Sequence, residues 1–334
     1  MEGIGVEDVE LNLCRAVRTV FTGSLLLSLV VALMAAGTVG LVGYRLGGGI
    51  WPFAVALAVA VAVVLRPVLV RARAVREPFP NLYRTWLTNF VPVYQHGTPD
   101  EQARFEALVL AFLAEQRFEQ VKDEVPWTWE RKLAVAAGAA TLLLGRPGWT
   151  FTTRRSFLLY PETFDRDYFD GAGHGDFDGM AHQQGPVIFA AHALDVAWAY
   201  EDASNVVLHE LAHLLDYAGD TADGIPSLLD PASAPAWERL VRRETQRIRV
   251  GKSMLRSYAA TNGAEFFAVA TEVFFEKPVP LARRHRELFD AFVAFYAYDP
   301  RPPAERTDAA PEDDEDGDGE PDDRLQIPPK PATG

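Results

Sequence analysis

The 334-residue chain contains a single cysteine, Cys14. One thiol excludes an intrachain disulfide framework and also a zinc knuckle built from cysteines. Basic residues are scarce as well, because 32 Lys and Arg stand against 46 Asp and Glu, for a formal net charge of -14. An acidic chain lacks the positive face that neutralises phosphates. The composition therefore predicts that the chain does not bind nucleic acid directly.

Charged residues are absent from Thr19 to Tyr44, and a second apolar run extends from Ile50 to Val70 with Arg66 near its end. A run of this length is typical of a helix that spans the hydrocarbon core of a membrane. The sequence therefore predicts a two-helix transmembrane hairpin over residues 19–70, preceded by an N-terminal segment over residues 1–18. A signal peptide is a poorer interpretation, because the first run is long and a second run follows it directly.

Basic residues around these runs predict the orientation of the hairpin. The turn contains Arg45 alone, whereas both outer flanks are richer in arginine: Arg15, Arg18, Arg66, Arg71, Arg73 and Arg76. Since cytoplasmic flanks carry the excess of Lys and Arg, we expect an inner-membrane protein with both termini and its main domain in the cytoplasm.

The rest of the chain is predicted to form a linker over residues 71–97, a folded domain over residues 98–300 and an acidic tail over residues 301–334. Hydrophobic periodicity predicts five helices in the domain besides the one that carries the central motif: Glu101–Arg117, Trp127–Leu144, Pro235–Val250, Asn262–Glu276 and Arg283–Tyr298. Ser156–Tyr160 and Pro186–Ala190 are predicted strands. Helices with a small sheet indicate the α+β class.

The tail contains Asp314, Asp316, Asp318 and Gly319 in the D-x-D-x-D-G spacing of a calcium loop. An EF-hand loop requires a bidentate glutamate at its twelfth position, and Leu325 occupies that position here. We therefore interpret the tail as a disordered, self-repelling acidic segment.

The segment VVLHELAHLLD, residues 206–216, carries His209 and His213 four positions apart with Glu210 between them. On a helix this spacing presents both imidazoles on one face, and it is the H-E-x-x-H arrangement of zinc metalloproteases. Asp202 or Ser204 is the predicted cap of this helix. The competing interpretation of each histidine by itself is an ordinary hydrogen-bonded residue of a buried helix.

A catalytic zinc site needs a third protein ligand. The remaining histidines are few and none continues the metzincin pattern after His213: His96, His174, His182, His192 and His285. Glu265 and Glu272 are both candidates, because they lie seven residues apart on one face of a predicted helix. Glu265 also fits a capping box begun by Asn262, and Asp216 fits either a helix end or a partner of a ligating imidazole.

These segments resemble the Mlc titration factor A family of zinc peptidases, chiefly in VVLHELAHLLD, DGIPSLL (residues 223–229) and SYAATNGAEFFAVATEVFFEKP (residues 257–278). The resemblance implies a zincin-like, gluzincin-like metallopeptidase domain with one zinc ion per chain. It implies His209, His213 and Glu265 as zinc ligands and Glu210 as the general base. It also implies Tyr258 as an oxyanion donor, and the strand at 186–190 as the edge that pairs with an extended peptide.

Two functions remain open. The first is a membrane-anchored zinc peptidase that hydrolyses a peptide or protein substrate, with aminopeptidase activity as one form. The second is a regulatory zinc module that binds a transcriptional repressor or a membrane partner, as the family resemblance implies. A general base at Glu210 favours hydrolysis, because a purely structural site does not need one. An intramembrane protease is excluded, because the apolar stretch around the motif, Ala203–Leu215, is too short to span.

Overall fold

A computed structural model describes residues 34–306 except for 48–49, 122–124, 148, 150, 152–154, 162–163, 166–175, 183–184, 201, 217–224, 227–228 and 230. Two compact units are present, one comprising mainly the residues before Phe79 and the other extending onward from Phe79. Residues 1–33 and most of the acidic tail lie outside the described residues, and so do His174 and most of the DGIPSLL motif.

The first unit contains helix α1, described over residues 34–45, and helix α2, Trp51–Ala74. The two helices approach closely at glycines, because a Cβ on Gly40 would lie 2.6 Å from Phe53 and one on Gly43 would lie 2.5 Å from Pro52. A helical hairpin is therefore present in this part of the chain.

The prediction of a membrane anchor over residues 19–70 is wrong, and so is the predicted inner-membrane location. Among the described residues, no helix combines the length and the apolar character needed to cross a bilayer. Helix α2 has 24 residues, but Arg66, Arg71 and Arg73 occupy its second half. Its uncharged part ends at Leu65, whereas a spanning helix needs about 20 predominantly apolar residues. Residues 19–33 of the first predicted span lie outside the described residues.

The second unit begins with two helices where the sequence predicts a linker. They are α3, Asn81–Phe90, and α4, Pro92–Gln95. Helix α5, Pro99–Glu115, follows, and Thr98 closes a capping box with Glu101 at its start. Helix α6, Trp129–Leu143, is buried along nearly its whole length. Both helices lie within two residues of their predicted bounds.

The domain contains a four-stranded sheet in the order β1-β2-β6-β5. Its strands are β1, Arg117–Gln120; β2, Ser156–Tyr160; β5, Gly179–Ala181; and β6, Val187–Ala190. Strands β1, β2 and β6 run parallel, and β5 pairs antiparallel with β6. Strands β3, Phe164–Asp165, and β4, Asp176–Phe177, form a separate antiparallel pair. The predicted strands β2 and β6 are confirmed, and the helix-rich α+β class is confirmed as well.

The sheet order corrects one expectation. The strand at 186–190 was expected to be a free edge, but β6 is paired on both sides, with β2 and with β5. The edge strand beside it is β5, which packs against the helix carrying the histidine motif.

The remaining helices follow the sheet along the chain. They are α7, Ala191–Val196; α8, Val206–Asp216; α9, Ala234–Arg249; α10, Gly263–Glu276; α11, Pro278–Arg284; and α12, Arg286–Tyr296. Helices α8, α9 and α10 match their predictions. The predicted helix over 283–298 is two helices instead, since the backbone leaves the helical region at His285 (φ -137°, ψ 56°).

Helix α8 lies at the centre of the domain between α10, α6 and β5. Ten of its eleven residues are buried. Gly138 on α6 permits the close approach of α6, because a Cβ there would lie 2.5 Å from Cγ1 of Val207. Close packing of this kind fixes a helix tightly in place, so the histidine motif is held on a rigid element.

Candidate metal centre

His209 and His213 project from the same face of α8 and bring their Nε2 atoms to within 3.2 Å of each other. Glu265, in the first turn of α10, places its Oε2 3.1 Å from Nε2 of His209 and 3.6 Å from Nε2 of His213. Both histidines are buried, and the Glu265 side chain is 17% exposed. The three side chains thus converge on one point and form the candidate metal centre.

The spacing of these atoms fits a metal ion. Two protein ligands at the 2.0–2.2 Å bond lengths of zinc lie roughly 3.3–3.5 Å apart in tetrahedral geometry. The observed separations of 3.1, 3.2 and 3.6 Å bracket that value. Two imidazole nitrogens and a carboxylate oxygen also form a donor set that zinc prefers.

The electrostatics of the cluster favour a positive charge at its centre. Burial alone would lower the pKa of His209, but hydrogen bonds with Glu265 and Glu272 raise it to about 10. Burial alone would raise the pKa of Glu265, but its hydrogen bonds with His209 and His213 hold it below its usual range. The two carboxylates therefore favour positive charge on the imidazole of His209.

The side chain of Glu265 is available to the cluster because Asn262 caps the N-terminus of α10. Oδ1 of Asn262 accepts the backbone N–H of Glu265 at 2.9 Å, which caps α10. The side chain of Glu265 turns toward the histidines. Only half of the predicted capping box therefore forms, and the carboxylate remains a candidate ligand.

Glu272 lies on the opposite side of His209, where its Oε1 is 2.6 Å from Nδ1. Its side chain is 1% exposed, and Arg256 binds both of its oxygens, at 2.6 and 3.1 Å. A carboxylate at Nδ1 keeps the proton on that nitrogen and leaves the Nε2 lone pair for a metal. Glu272 therefore orients His209. The two glutamates contact different nitrogens of that ring, Glu272 at Nδ1 and Glu265 at Nε2.

Asn205 fixes these groups relative to α8. Its Oδ1 accepts the backbone N–H groups of Val207 and Leu208, both at 3.1 Å. Its own backbone N–H donates to Oε2 of Glu272 at 2.7 Å. The predicted caps Asp202 and Ser204 are wrong, because Asn205 is the residue that caps the helix.

Glu210 lies on the flank of the cluster under the edge strand. It is 5% exposed, and a Cβ on Gly179 of β5 would lie 2.7 Å from its Oε1. Only glycine permits this approach, so β5 passes directly over the carboxylate. Within the described part of the chain, Oε2 of Glu210 has no hydrogen-bond partner. Burial raises the pKa of Glu210 above its usual value, which suits a group that must take up a proton.

Tyr258 lies in a short 3-10 helix, Ser257–Ala260, that packs against α10. Its ring centroid is 6.1 Å from that of His209, and the residue is 40% exposed. The predicted site residues are thus gathered around α8, with Tyr258 at the accessible side. Asp216, at the end of the same helix, is fully buried.

Sequence reasoning missed Asn205 and Arg256. An asparagine directly before the apolar run of α8 was a readable cap signal. Arg256 had no comparable signal, because its role depends on the contact of its loop with Glu272, 16 residues further along the chain.

Two convergent imidazoles on the buried helix α8, a carboxylate from α10 and a buried glutamate beside them are the arrangement expected of a metal-dependent hydrolase. Comparison with known proteins agrees: the chain belongs to the glucose-regulated metallo-peptidase M90 family, whose model matches residues 68–297. Membership in this family implies a metal ion and a peptide or protein substrate.

Individual relatives extend the likeness over most of the domain. The chain is 32% identical over 227 residues to Mlc titration factor A of Klebsiella pneumoniae, covering 63% of this chain and 84% of the relative. The same values hold for Mlc titration factor A of Escherichia fergusonii. An uncharacterized protein of Synechocystis sp. is 27% identical over 244 residues, covering 67% of this chain and 86% of the relative. The family resemblance stated from the motifs is confirmed.

Proposed function

We propose that the chain is a zinc-dependent peptidase in which His209, His213 and Glu265 hold the metal. The observation that carries this proposal is the convergence of two Nε2 atoms and one carboxylate oxygen at separations of 3.1–3.6 Å. Held by these three residues, zinc would supply Lewis-acid chemistry and an activated water for hydrolysis. With Glu265 as a ligand downstream of the H-E-x-x-H motif, the proposed site is gluzincin-like and the proposed domain is zincin-like.

Glu210 is the proposed general base. Its unpartnered Oε2 accepts a proton from the attacking water and then transfers that proton to the leaving amine. The backbone of Gly179 covers the carboxylate and shields it from bulk solvent. A purely structural metal site has no use for a buried carboxylate kept in this state, and for this reason we favour hydrolysis over a binding role.

The substrate enters along β5 in this proposal. Strand β5 is paired with β6 on one side, and it lies over the general base. An extended peptide that adds to a sheet edge gains backbone hydrogen bonds without sequence preference. In this proposal the scissile bond lies next to Glu210, whichever residues flank it.

The test is cleavage of a peptide library by zinc-loaded and by chelator-treated protein. We expect cleavage that disappears with the metal and returns when zinc is restored. Mass spectrometry of the products shows whether bonds are cut internally or next to the amino terminus, which decides whether the activity is that of an aminopeptidase. Cleavage that is unaffected by removal of the metal would refute the proposal.

Replacing Tyr258 by Phe tests the proposed oxyanion donor. Loss of one such donor typically lowers kcat by roughly 100–1,000-fold. Since the hydroxyl acts on the charge that develops in the transition state, KM is expected to change little. The measurement is steady-state kinetics on a peptide from the library. A kcat equal to that of the wild type would remove Tyr258 from the mechanism and leave the metal ligands unaffected.

A further inference from the structure

Arginines gather on the outer face of α9 and at the neighbouring junction of α11 and α12. Helix α9 carries five arginines and two glutamates, and residues 278–286 carry three arginines and no acidic residue. The inner face of α9 is buried and includes Trp237 and Ile248, so most of its arginines lie on the side toward solvent. We define the arginine surface by six of these residues: Arg242, Arg243, Arg247, Arg283, Arg284 and Arg286.

Contacts join the two parts of the arginine surface. Nη2 of Arg247 donates to the backbone oxygen of Arg284 at 3.3 Å. Arg243 of α9 forms an ion pair with Glu287 in the first turn of α12. The arginines of α9 therefore lie beside those at the α11–α12 junction, and the two groups form one surface.

The positive charge of the arginine surface is only partly compensated. Four of its members form ion pairs: Arg243, Arg247, Arg283 and Arg286. Arg242 and Arg284 are exposed, and neither has an acidic partner among the residues that the structure describes. The whole chain has a formal net charge of -14, so this local excess of positive charge stands out and attracts acidic groups.

The last described segment of the chain lies at the arginine surface. Oε2 of Glu305 is 3.5 Å from Nη2 of Arg283, and Arg306 is the last described residue. Residues 307–323 follow directly, and they contain ten acidic residues and no basic one. A fully extended segment of that length reaches about 56 Å, whereas α9 is only about 24 Å long. The segment can therefore cover the whole surface.

We propose that the arginine surface binds the acidic segment over residues 307–323 of its own chain. Guanidinium groups donate paired N–H bonds to carboxylates, and those of Arg242 and Arg284 have no acidic partner among the described residues. The ten acidic residues repel one another, and bound arginines relieve that repulsion.

The tether at Arg306 explains how weak ion pairs are enough to hold the segment. A single exposed ion pair contributes little to stability. Because the segment is attached next to the surface, its effective concentration there is on the order of millimolar. Several weak pairs then act together, and salt screens all of them. This binding does not depend on the proposed peptidase activity, and it is measured separately.

Labelling of arginines with phenylglyoxal tests the proposal in the full chain. Mass spectrometry follows the reaction at Arg242 and Arg284, and Arg117, which is exposed on β1, is the internal control. The comparison variant carries amides in place of all ten carboxylates of residues 307–323. At low salt we expect Arg242 and Arg284 to react roughly three- to tenfold faster in this variant, as several exposed ion pairs imply. Arg117 should react equally in the two proteins.

Salt and dilution distinguish the possible occupants of the surface. Sodium chloride at about 1 M should abolish the difference in labelling, because it screens exposed ion pairs. Protection of the wild type should persist on dilution, since the segment belongs to the same chain. Protection that is lost on dilution would assign the surface to the tail of a second copy and overturn the proposal. Equal labelling at low salt would leave the surface to an external acidic partner and overturn it as well.

Trypsin cleavage after Arg324 gives the reciprocal measurement on the acidic segment. Arg242→Gln combined with Arg284→Gln removes two binding groups of the surface, and it should accelerate this cleavage about threefold at low salt. Arg117→Gln is the matched control and should leave the rate unchanged. An unchanged rate in the double variant, with folding confirmed by circular dichroism, would refute the role of the arginine surface.

Discussion

Glu210→Gln is expected to lower kcat by about 100–10,000-fold while the protein retains its metal. The range is that of positioned general bases. Glutamine keeps the size of the side chain under Gly179, but it cannot accept the proton of the attacking water. The measurements are steady-state cleavage of a library-derived peptide and metal analysis of the same preparation.

Glu287→Gln is a suitable control for this variant, because Glu287 forms an exposed ion pair with Arg243 on the outside of the domain. It should be fully active. A Glu210→Gln protein that cleaves peptides at the wild-type rate would refute the role of Glu210. Loss of both metal and activity would instead show that Glu210 supports the metal site.

Glu265→Gln and Glu272→Gln form a matched pair on helix α10, and their effects on zinc affinity should differ strongly. Glu272 contacts His209 through Nδ1 and contributes no atom to the converging set. Loss of such an outer partner typically weakens metal affinity by roughly 10–100-fold. Glu265 lies at the converging point itself, so its replacement should weaken zinc affinity by more than roughly 100-fold.

Competition with a chromophoric chelator measures both affinities on one scale. Circular dichroism controls for folding, which matters for Glu272 because Arg256 and Asn205 both donate to it. Equal losses of affinity in the two variants would contradict the assignment of Glu265 as a ligand. A larger loss of zinc affinity in Glu272→Gln would indicate that Glu272 is the ligand and Glu265 the outer partner.

The sequence was informative where one local pattern determines the structure. The H-E-x-x-H spacing lies on a single helix, and its periodicity places both imidazoles on one face without reference to other elements. The helix bounds of α5, α6, α9 and α10 followed from the same periodicity and from strong caps such as Thr98 and Asn262. These elements form wherever the local signal and the core agree.

The sequence was insufficient where several elements meet. Spacing could not separate Glu265 from Glu272, because seven residues are two helical turns and both carboxylates share a face. Only the packing of α10 on α8 shows that one faces Nε2 of His209 and the other faces Nδ1. The edge strand β5 has three residues, too few for a periodic signal.

Hydropathy alone also led to a predicted membrane anchor in the first unit that the described residues do not support. An apolar run predicts a membrane span only if enough of it belongs to one uninterrupted helix. In the described residues the arginines in the second half of α2 interrupt the apolar run over residues 50–70. The prediction failed for α2 because its uncharged part ends at Leu65, before Arg66, Arg71 and Arg73.

The most direct test of the central claim is a titration of metal-free protein with zinc, in which bound zinc and peptide cleavage are measured together. One centre built from His209, His213 and Glu265 predicts that activity rises linearly with bound zinc and reaches its plateau at about one ion per chain. Full activity in the metal-free protein, or no cleavage at any site of the peptide library once one zinc is bound, would contradict the account.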